Sequence, residues 1–159
     1  MGGRGPLPEA YEMRGKVEVI FNLYDAFRRS KVPVIGIVQG RAVGFGCALA
    51  ALCDITIASE KARFQLPEMG HNIMPTIAIS ALIDRVPRKA LMYLVYSTAE
   101  IDAHKALTYG LVSDVVPAER VDAAVEHLIA RLKKYPLPAL MAVKEYARSA
   151  YGLSTLAAN

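Results

Sequence analysis

The stretch from Val34 to Glu68, VIGIVQGRAVGFGCALAALCDITIASEKARFQLPE, constrains the chain more than any other. It opens on an apolar, β-branched run, Val34-Ile35-Gly36-Ile37-Val38. The run is too short for a helix and predicts a strand buried on both faces. A turn at Gln39-Gly40-Arg41 follows, and Gly44-Phe45-Gly46 leads into Cys47–Leu52, a small-residue segment of helical composition. Strand, glycine turn and helix start in that order aim backbone N–H groups outward, at the positive end of a helix dipole. Asp54-Ile55-Thr56-Ile57-Ala58 predicts a second strand, and Phe64-Gln65-Leu66-Pro67-Glu68 closes the stretch on a carboxylate. The chemical ingredients are an anion-stabilising backbone and one acid/base group.

The rest of the chain bounds what such a site can serve. Its 159 residues suit one domain able to bury roughly two-thirds of its unfolded surface. Hydrophobic residues at 53% against 21% charged argue for a well-cored globular protein and against disorder. The net charge of +4 is scattered over Arg28, Arg29 and Lys31, over Arg85, Arg88 and Lys89, and over Arg131, Lys133 and Lys134. Without interleaved aromatics these clusters do not make a nucleic-acid groove. They read as solvated helix faces, with attraction of a polyanionic ligand as the functional alternative. Cys47 and Cys53, the two cysteines, lie in apolar surroundings and predict buried thiols in a reducing compartment. The sequence offers neither a membrane-length apolar span nor a signal peptide, so no membrane partner and a cytosolic protein are expected. The scattered histidines and cysteines lack metal-ligand spacing.

In chain order, a glycine- and proline-rich segment over Met1–Pro8 precedes an amphipathic helix within residues 9–31. Its apolar positions are Val17, Ile20, Phe21, Tyr24 and Phe27, and Arg28-Arg29 fall in the last turn. Helices are predicted over residues 77–83, 88–96 and 103–109, the last closed by Gly110 and capped by Asp102. Leu111–Val116 predicts a strand, and Val121, Ala124, Val125, Leu128 and Leu132 mark a further amphipathic helix. Pro136 and Pro138 break the chain before a final helix over residues 139–151. No internal repeat is visible. Residues 1–117 are expected to form the core and residues 118–159 a helical region.

The segment AVGFGCALAALCDITIASEKARFQLPE resembles the signature of the crotonase superfamily, the enoyl-CoA hydratase/isomerase family. The likeness continues through Pro75, AHKALTYGL (Ala103–Leu111), VSDVVP (Val112–Pro117) and ALMAVKEYA (Ala139–Ala147). It implies an α/β fold, the crotonase-like spiral of β-β-α units, here expected to be truncated at both ends. It also implies a coenzyme A thioester as substrate with no tightly bound cofactor, and a homo-oligomer such as a trimer or dimer of trimers. By the resemblance, the Phe45 N–H is one donor of an oxyanion hole, with Gly44 and Gly46 allowing close approach of the thioester. Gly3 falls where the second donor belongs, although Arg4 stands in place of the family's Asp. Glu68 matches the family's Pro-Glu acid/base, and Asp54 its structural Cys-Asp.

Such a hole matters because removing one oxyanion donor typically costs about 3–4 kcal/mol. Glycines at a turn can equally serve tight strand–helix packing alone, and a loop carboxylate is usually only solvated. Where hydratases of the family carry a second Glu, this chain has Ala48, and a methyl group can neither hold nor deprotonate water. One carboxylate can still move a proton between carbons, so isomerase-like chemistry is favoured over hydration. His71, three residues past Glu68, is a possible auxiliary group, with plain solvent exposure as the alternative. Thr76-Ile77-Ala78-Ile79-Ser80 replaces a region often glycine-rich in the family, which leaves substrate preference open. The rival class of function is a catalytically dead fragment acting as an oligomerisation or acyl-CoA-binding module.

Overall fold

The computed structural model describes the backbone of residues 10–157 and the side chains of residues 17–150. Helix α1 (Ala10–Arg29) precedes two consecutive strand–strand–helix units. In the first, β1 (Ile35–Val38) and β2 (Arg41–Val43) lead into α2 (Phe45–Leu52). In the second, β3 (Ile55–Ser59) and β4 (Arg63–Gln65) lead into α3 (Thr76–Leu82) through a 3-10 turn at Glu68–His71. Then come α4 (Arg88–Ser97), β5 (Ile101–Asp102), α5 (Ala103–Thr108), β6 (Asp114–Val116), α6 (Val121–Leu132) and α7 (Leu137–Ala157).

Corresponding strands of the two units pair. β1 lies parallel to β3 with Ile35 opposite Ile55, and β6 completes that sheet on the far side of β3. β2 lies parallel to β4 with Arg41 opposite Arg63, and β5 runs antiparallel beside β4. The backbone therefore repeats where the sequence does not. A three-residue strand is too short to show alternation, so β2, whose first residue falls in the expected turn, and β4 escape a periodicity reading.

The two helices that follow these strands, α2 and α3, pack on each other and on α1. Ala48, Ala50 and Ala51 on α2 and Ala78 and Ala81 on α3 are buried, and their small side chains let the helices approach closely. Leu52, Phe64, Leu66, Leu82 and Leu94 fill the remaining core and are essentially inaccessible. Burying each such side chain contributes about 1.5–3 kcal/mol. Thr56 is buried among them because its hydroxyl donates to Ala50 O at 2.7 Å and its N–H to Ser113 Oγ at 3.0 Å.

Several local expectations need correction. β1 is not buried on both faces, since Ile37 is 49% exposed; β1 is an outer strand of its sheet among the described residues. The strand expected from Leu111 forms only at Asp114; just before it, Ser113 N–H donates to Thr56 O of β3 at 2.7 Å. The last helix begins at Leu137 rather than Ala139. Pro138 sits in its first turn, where a missing N–H costs nothing, and Ala139 N–H closes the turn on Pro136 O at 2.9 Å. Cys53 is only half-buried, although Cys47 is buried as expected, and both are free thiols. Asp102 caps α5 as predicted, accepting from Lys105 N–H at 2.8 Å, and Gly110 takes the left-handed conformation at φ 72°.

Candidate active site

The pairing of β2 with β4 brings two loop segments together. Val43 stands opposite Gln65, and the chain leaves both strands at the same end, one into Gly44, the other into Pro67 and Glu68. Gly44 N–H donates to Gln65 O at 2.8 Å and ties the two exits to each other. Gly44 adopts φ 53° and ψ −113°, a backbone that side chains other than hydrogen rarely allow. The first bond of α2 runs from Ala48 N–H to Gly44 O at 3.0 Å. The N–H groups of Phe45, Gly46 and Cys47 precede it, and no side chain caps this helix start.

Glu68 faces that turn. A β-carbon on Gly44 would stand 3.2 Å from Glu68 Oε1, so the carboxylate lies directly against the glycine backbone. Its other oxygen, Oε2, is buried and has no hydrogen-bond partner among the described residues. Glu68 also raises the Cys47 thiol, which burial first and this negative charge second push up to about 12. Cys47 is therefore a neutral packing group beside the site.

The two neighbouring glycines differ. A β-carbon at Gly46 would meet nothing within 4 Å, so this glycine does not serve packing. Gly36 is the opposite case, its β-carbon falling 2.8 Å from Cys53 Sγ. The open space at Gly46 lies at the uncapped start of α2, beside the Phe45 side chain, which is 42% exposed.

One residue at the site was read in the sequence only as part of an apolar stripe. Tyr24 on α1 is completely buried, its ring stacked on Phe45 with centroids 6.1 Å apart and planes 15° from parallel. The Phe21 ring stands perpendicular to it, with centroids 6.1 Å apart. The Tyr24 hydroxyl has no hydrogen-bond partner among the described residues. Burial raises its pKa most, the Arg28 charge lowers it, and the Glu68 charge raises it further. The only signal in the sequence was a phenol in place of an aliphatic residue on the stripe, and nothing local distinguishes that from an ordinary core tyrosine.

The remaining expected site residues are more dispersed. His71 ends the same 3-10 turn as Glu68 and is exposed. Gly3 lies outside the described residues. Ala48 is fully buried, so its methyl group packs in the core. Asp54 is structural in its contacts: it accepts from Val34 N–H and from Lys144 Nζ, each at 2.7 Å. Lys144 also donates to Phe27 O and Val32 O, both at 3.1 Å, and so fastens α7 to the start of β1. No cluster of metal-ligating side chains occurs among the described residues.

A cavity of about 690 Å³ lies elsewhere, between α7 and the starts of β1 and β3. Asp54, Lys144, Arg85 and Leu140 are among its lining, and neither Glu68 nor the Gly44 turn reaches it. Both of its lining carboxylates are paired, Asp54 with Lys144 and Asp84 with Arg28 and Arg85, unlike the Glu68 carboxylate.

Comparison with known proteins fits this architecture. The family model described as enoyl-CoA hydratase/isomerase matches residues 9–159. Enoyl-CoA hydratase domain-containing protein 3, mitochondrial, from Xenopus laevis is 37% identical over 110 residues, 69% of this chain and 37% of that protein. The 2,3-dehydroadipyl-CoA hydratase of Escherichia coli is 38% identical over 117 residues, 73% of this chain and 46% of that one. The chain thus matches less than half the length of either relative. The crystal structure of an enoyl-CoA hydratase from Mycobacterium smegmatis superposes with a TM-score of 0.84 at 25% identity, covering 98% of this chain and 65% of that one. The crotonase-like fold expected from the sequence is therefore present.

The cytosolic expectation is overturned: the Xenopus relative and its namesakes in mouse, rat and human are mitochondrial by name. Buried thiols distinguish reducing from oxidising surroundings, not one reducing compartment from another. With a family match over nearly its whole length and the fold of a solved hydratase, the chain belongs to the enoyl-CoA hydratase/isomerase family.

Proposed function

We propose that this chain processes a coenzyme A thioester by proton transfer through Glu68, with the Phe45 N–H stabilising the enolate oxygen. The observation that carries this reading is the Glu68 carboxylate lying against the Gly44 backbone at the uncapped start of α2. A thioester carbonyl seated there meets N–H donors and the positive end of a helix dipole, while its α-carbon faces a carboxylate. Gly46, with open space where a β-carbon would stand, leaves room for that approach. Gly3 remains the proposed second donor.

For a 3-enoyl-CoA, Glu68 takes a proton from the α-carbon, and the C–H electron pair moves into the thioester to give a dienolate. The Phe45 N–H donates to the oxygen that gains charge. Glu68 then returns the proton to the γ-carbon, and the double bond ends between the α- and β-carbons. Atoms and charge balance without a second acid. Ala48 favours this isomerase-like shuttle, because a buried methyl group supplies no second carboxylate. Hydration is the second reading, favoured by the hydratase names of the relatives.

Residues 1–117 are proposed to form the spiral core that carries this chemistry. Residues 118–159 are proposed to support it and a homo-oligomeric, trimer-like assembly. The Lys144 contacts to the α1–β1 junction support the first of those roles.

The test is deuterium exchange at the α-carbon of a saturated acyl-CoA, beside turnover of 3-enoyl-CoA and 2-enoyl-CoA. Glu68→Gln is expected to lower exchange and isomerisation by about 10²–10⁴-fold. Exchange that survives the substitution removes Glu68 from the mechanism. Hydration without isomerisation transfers the assignment to the second reading. Acyl-CoA binding with no exchange leaves a binding module.

A further inference from the structure

Two buried polar atoms at this site are unpartnered among the described residues, Tyr24 Oη and Glu68 Oε2. Buried hydroxyls and carboxylate oxygens are nearly always hydrogen-bonded, and leaving one unpaired is costly. Tyr24 is fully buried, its ring stacked on Phe45 and perpendicular to Phe21, so its hydroxyl has no access to bulk solvent. Phe45 is the residue whose N–H opens α2, and Glu68 Oε1 is turned to the adjacent Gly44. The two oxygens of Glu68 therefore have different surroundings: Oε1 is at the glycine turn and Oε2 is in the protein interior. Glu68 is also close enough to Tyr24 for its charge to make the phenol harder to ionise, so Tyr24 stays a neutral donor.

We infer that Tyr24 is a positioning residue for Glu68: its hydroxyl reaches Oε2 through one bridging water, and so keeps Oε1 aimed at the Gly44 turn. The inference rests on the reading of Glu68 as the acid/base group. It assigns a neutral hydroxyl to the support of the single carboxylate, a part played by no residue of the motif that points to the family. The hydroxyl never contacts the thioester. Its effect is on the rate of proton transfer, with little effect on substrate affinity.

The test uses Tyr24→Phe, Glu68→Gln and the double variant of the full chain. The first measurement needs no turnover: the melting temperatures of the four proteins form a double-mutant cycle. A hydrogen-bonded pair makes the two shifts non-additive, and strictly additive shifts overturn the inference. The second measurement is α-carbon exchange and 3-enoyl-CoA isomerisation. Tyr24→Phe is expected to lower kcat about tenfold or more, as for loss of a hydrogen bond to a charged group, with KM within about twofold. An unchanged kcat, or a loss confined to KM, overturns the positioning role. If wild-type protein exchanges no α-proton while the cycle stays non-additive, the proposed function fails and the pair stands.

Discussion

Glu68 Oε1 lies 3.2 Å from the point a β-carbon on Gly44 would occupy, and Gly44 stands at φ 53°. The carboxylate and the turn thus share one small volume, and the geometry of each depends on the other. Gly44→Ala forces a methyl group against the carboxylate and a side chain into left-handed backbone. The backbone strain alone costs roughly 1–2 kcal/mol. The substitution is expected to lower the melting temperature and to reduce turnover by more than that loss of stability explains, since Glu68 must move. Wild-type turnover in the folded variant would show that Oε1 is not held by this contact.

Gly46 and Gly36 give a paired prediction, because their surroundings are opposite. Gly46→Ala adds a methyl group in open space on a helix, where Ala is favoured over Gly by about 0.8–1 kcal/mol in an interior position and less near the end. Stability is expected to hold or rise while KM for an acyl-CoA increases. Gly36→Ala places its methyl group 2.8 Å from Cys53 Sγ and is expected to destabilise, by about 1–3 kcal/mol for overpacking. Urea melts and steady-state kinetics of the two variants separate a glycine kept for a ligand from one kept for packing.

Breaking the Asp54–Lys144 pair is expected to loosen α7. Lys144 is 10% exposed and Asp54 is 23% exposed at the side chain, so neither charge is freely solvated. Removing one partner of a fully buried pair costs about 3–5 kcal/mol; with this residual exposure, Asp54→Ala is expected to cost about 2–3 kcal/mol. Val34 N–H loses its acceptor in the same variant. Protection of α7 and β1 amides from hydrogen exchange is expected to fall together, and a loss confined to one of them would contradict the latch.

The thiols make the fold sensitive to alkali. Burial raises both Cys47 and Cys53, with the Glu68 charge adding to the first and the Asp54 charge to the second. For Cys47 the folded value is about 12 against an ordinary 9.0. The unfolded chain therefore releases its proton first. The stabilisation is fully present below the ordinary value and is lost as pH rises from there towards about 12. Urea midpoints should decline with alkaline pH, and Cys47→Ala should flatten that decline. At neutral pH a thiol reagent is expected to modify Cys47 only after unfolding.

Much of this site was legible because its parts are local. Gly44-Phe45-Gly46 before a small-residue helix, and Glu68 after Pro67, carry their meaning within a few residues. The Asp102 cap and the Gly110 left-handed residue follow rules that reach across one helical turn. Resemblance to the family joined those fragments and named their chemistry. Other features are not local at all. Lys144 and Asp54 are 90 residues apart, and no periodicity links a lysine on the last helix to a strand start.

The sequence by itself determined the helix starts to within two residues, the glycine turn, the position of the proposed acid/base carboxylate and the family. Tertiary structure alone decided that β2 and β4 exist, that Val43 stands opposite Gln65, and that Gly44 and Glu68 therefore meet. It also decided that Tyr24 is buried and stacked on Phe45, with a hydroxyl that has no partner among the described residues. The division has a physical cause. Capping, turn geometry and helical periodicity are short-range and are written in neighbouring residues. Three-residue strands and the burial of one phenol have no propensity of their own, and only long-range packing selects them.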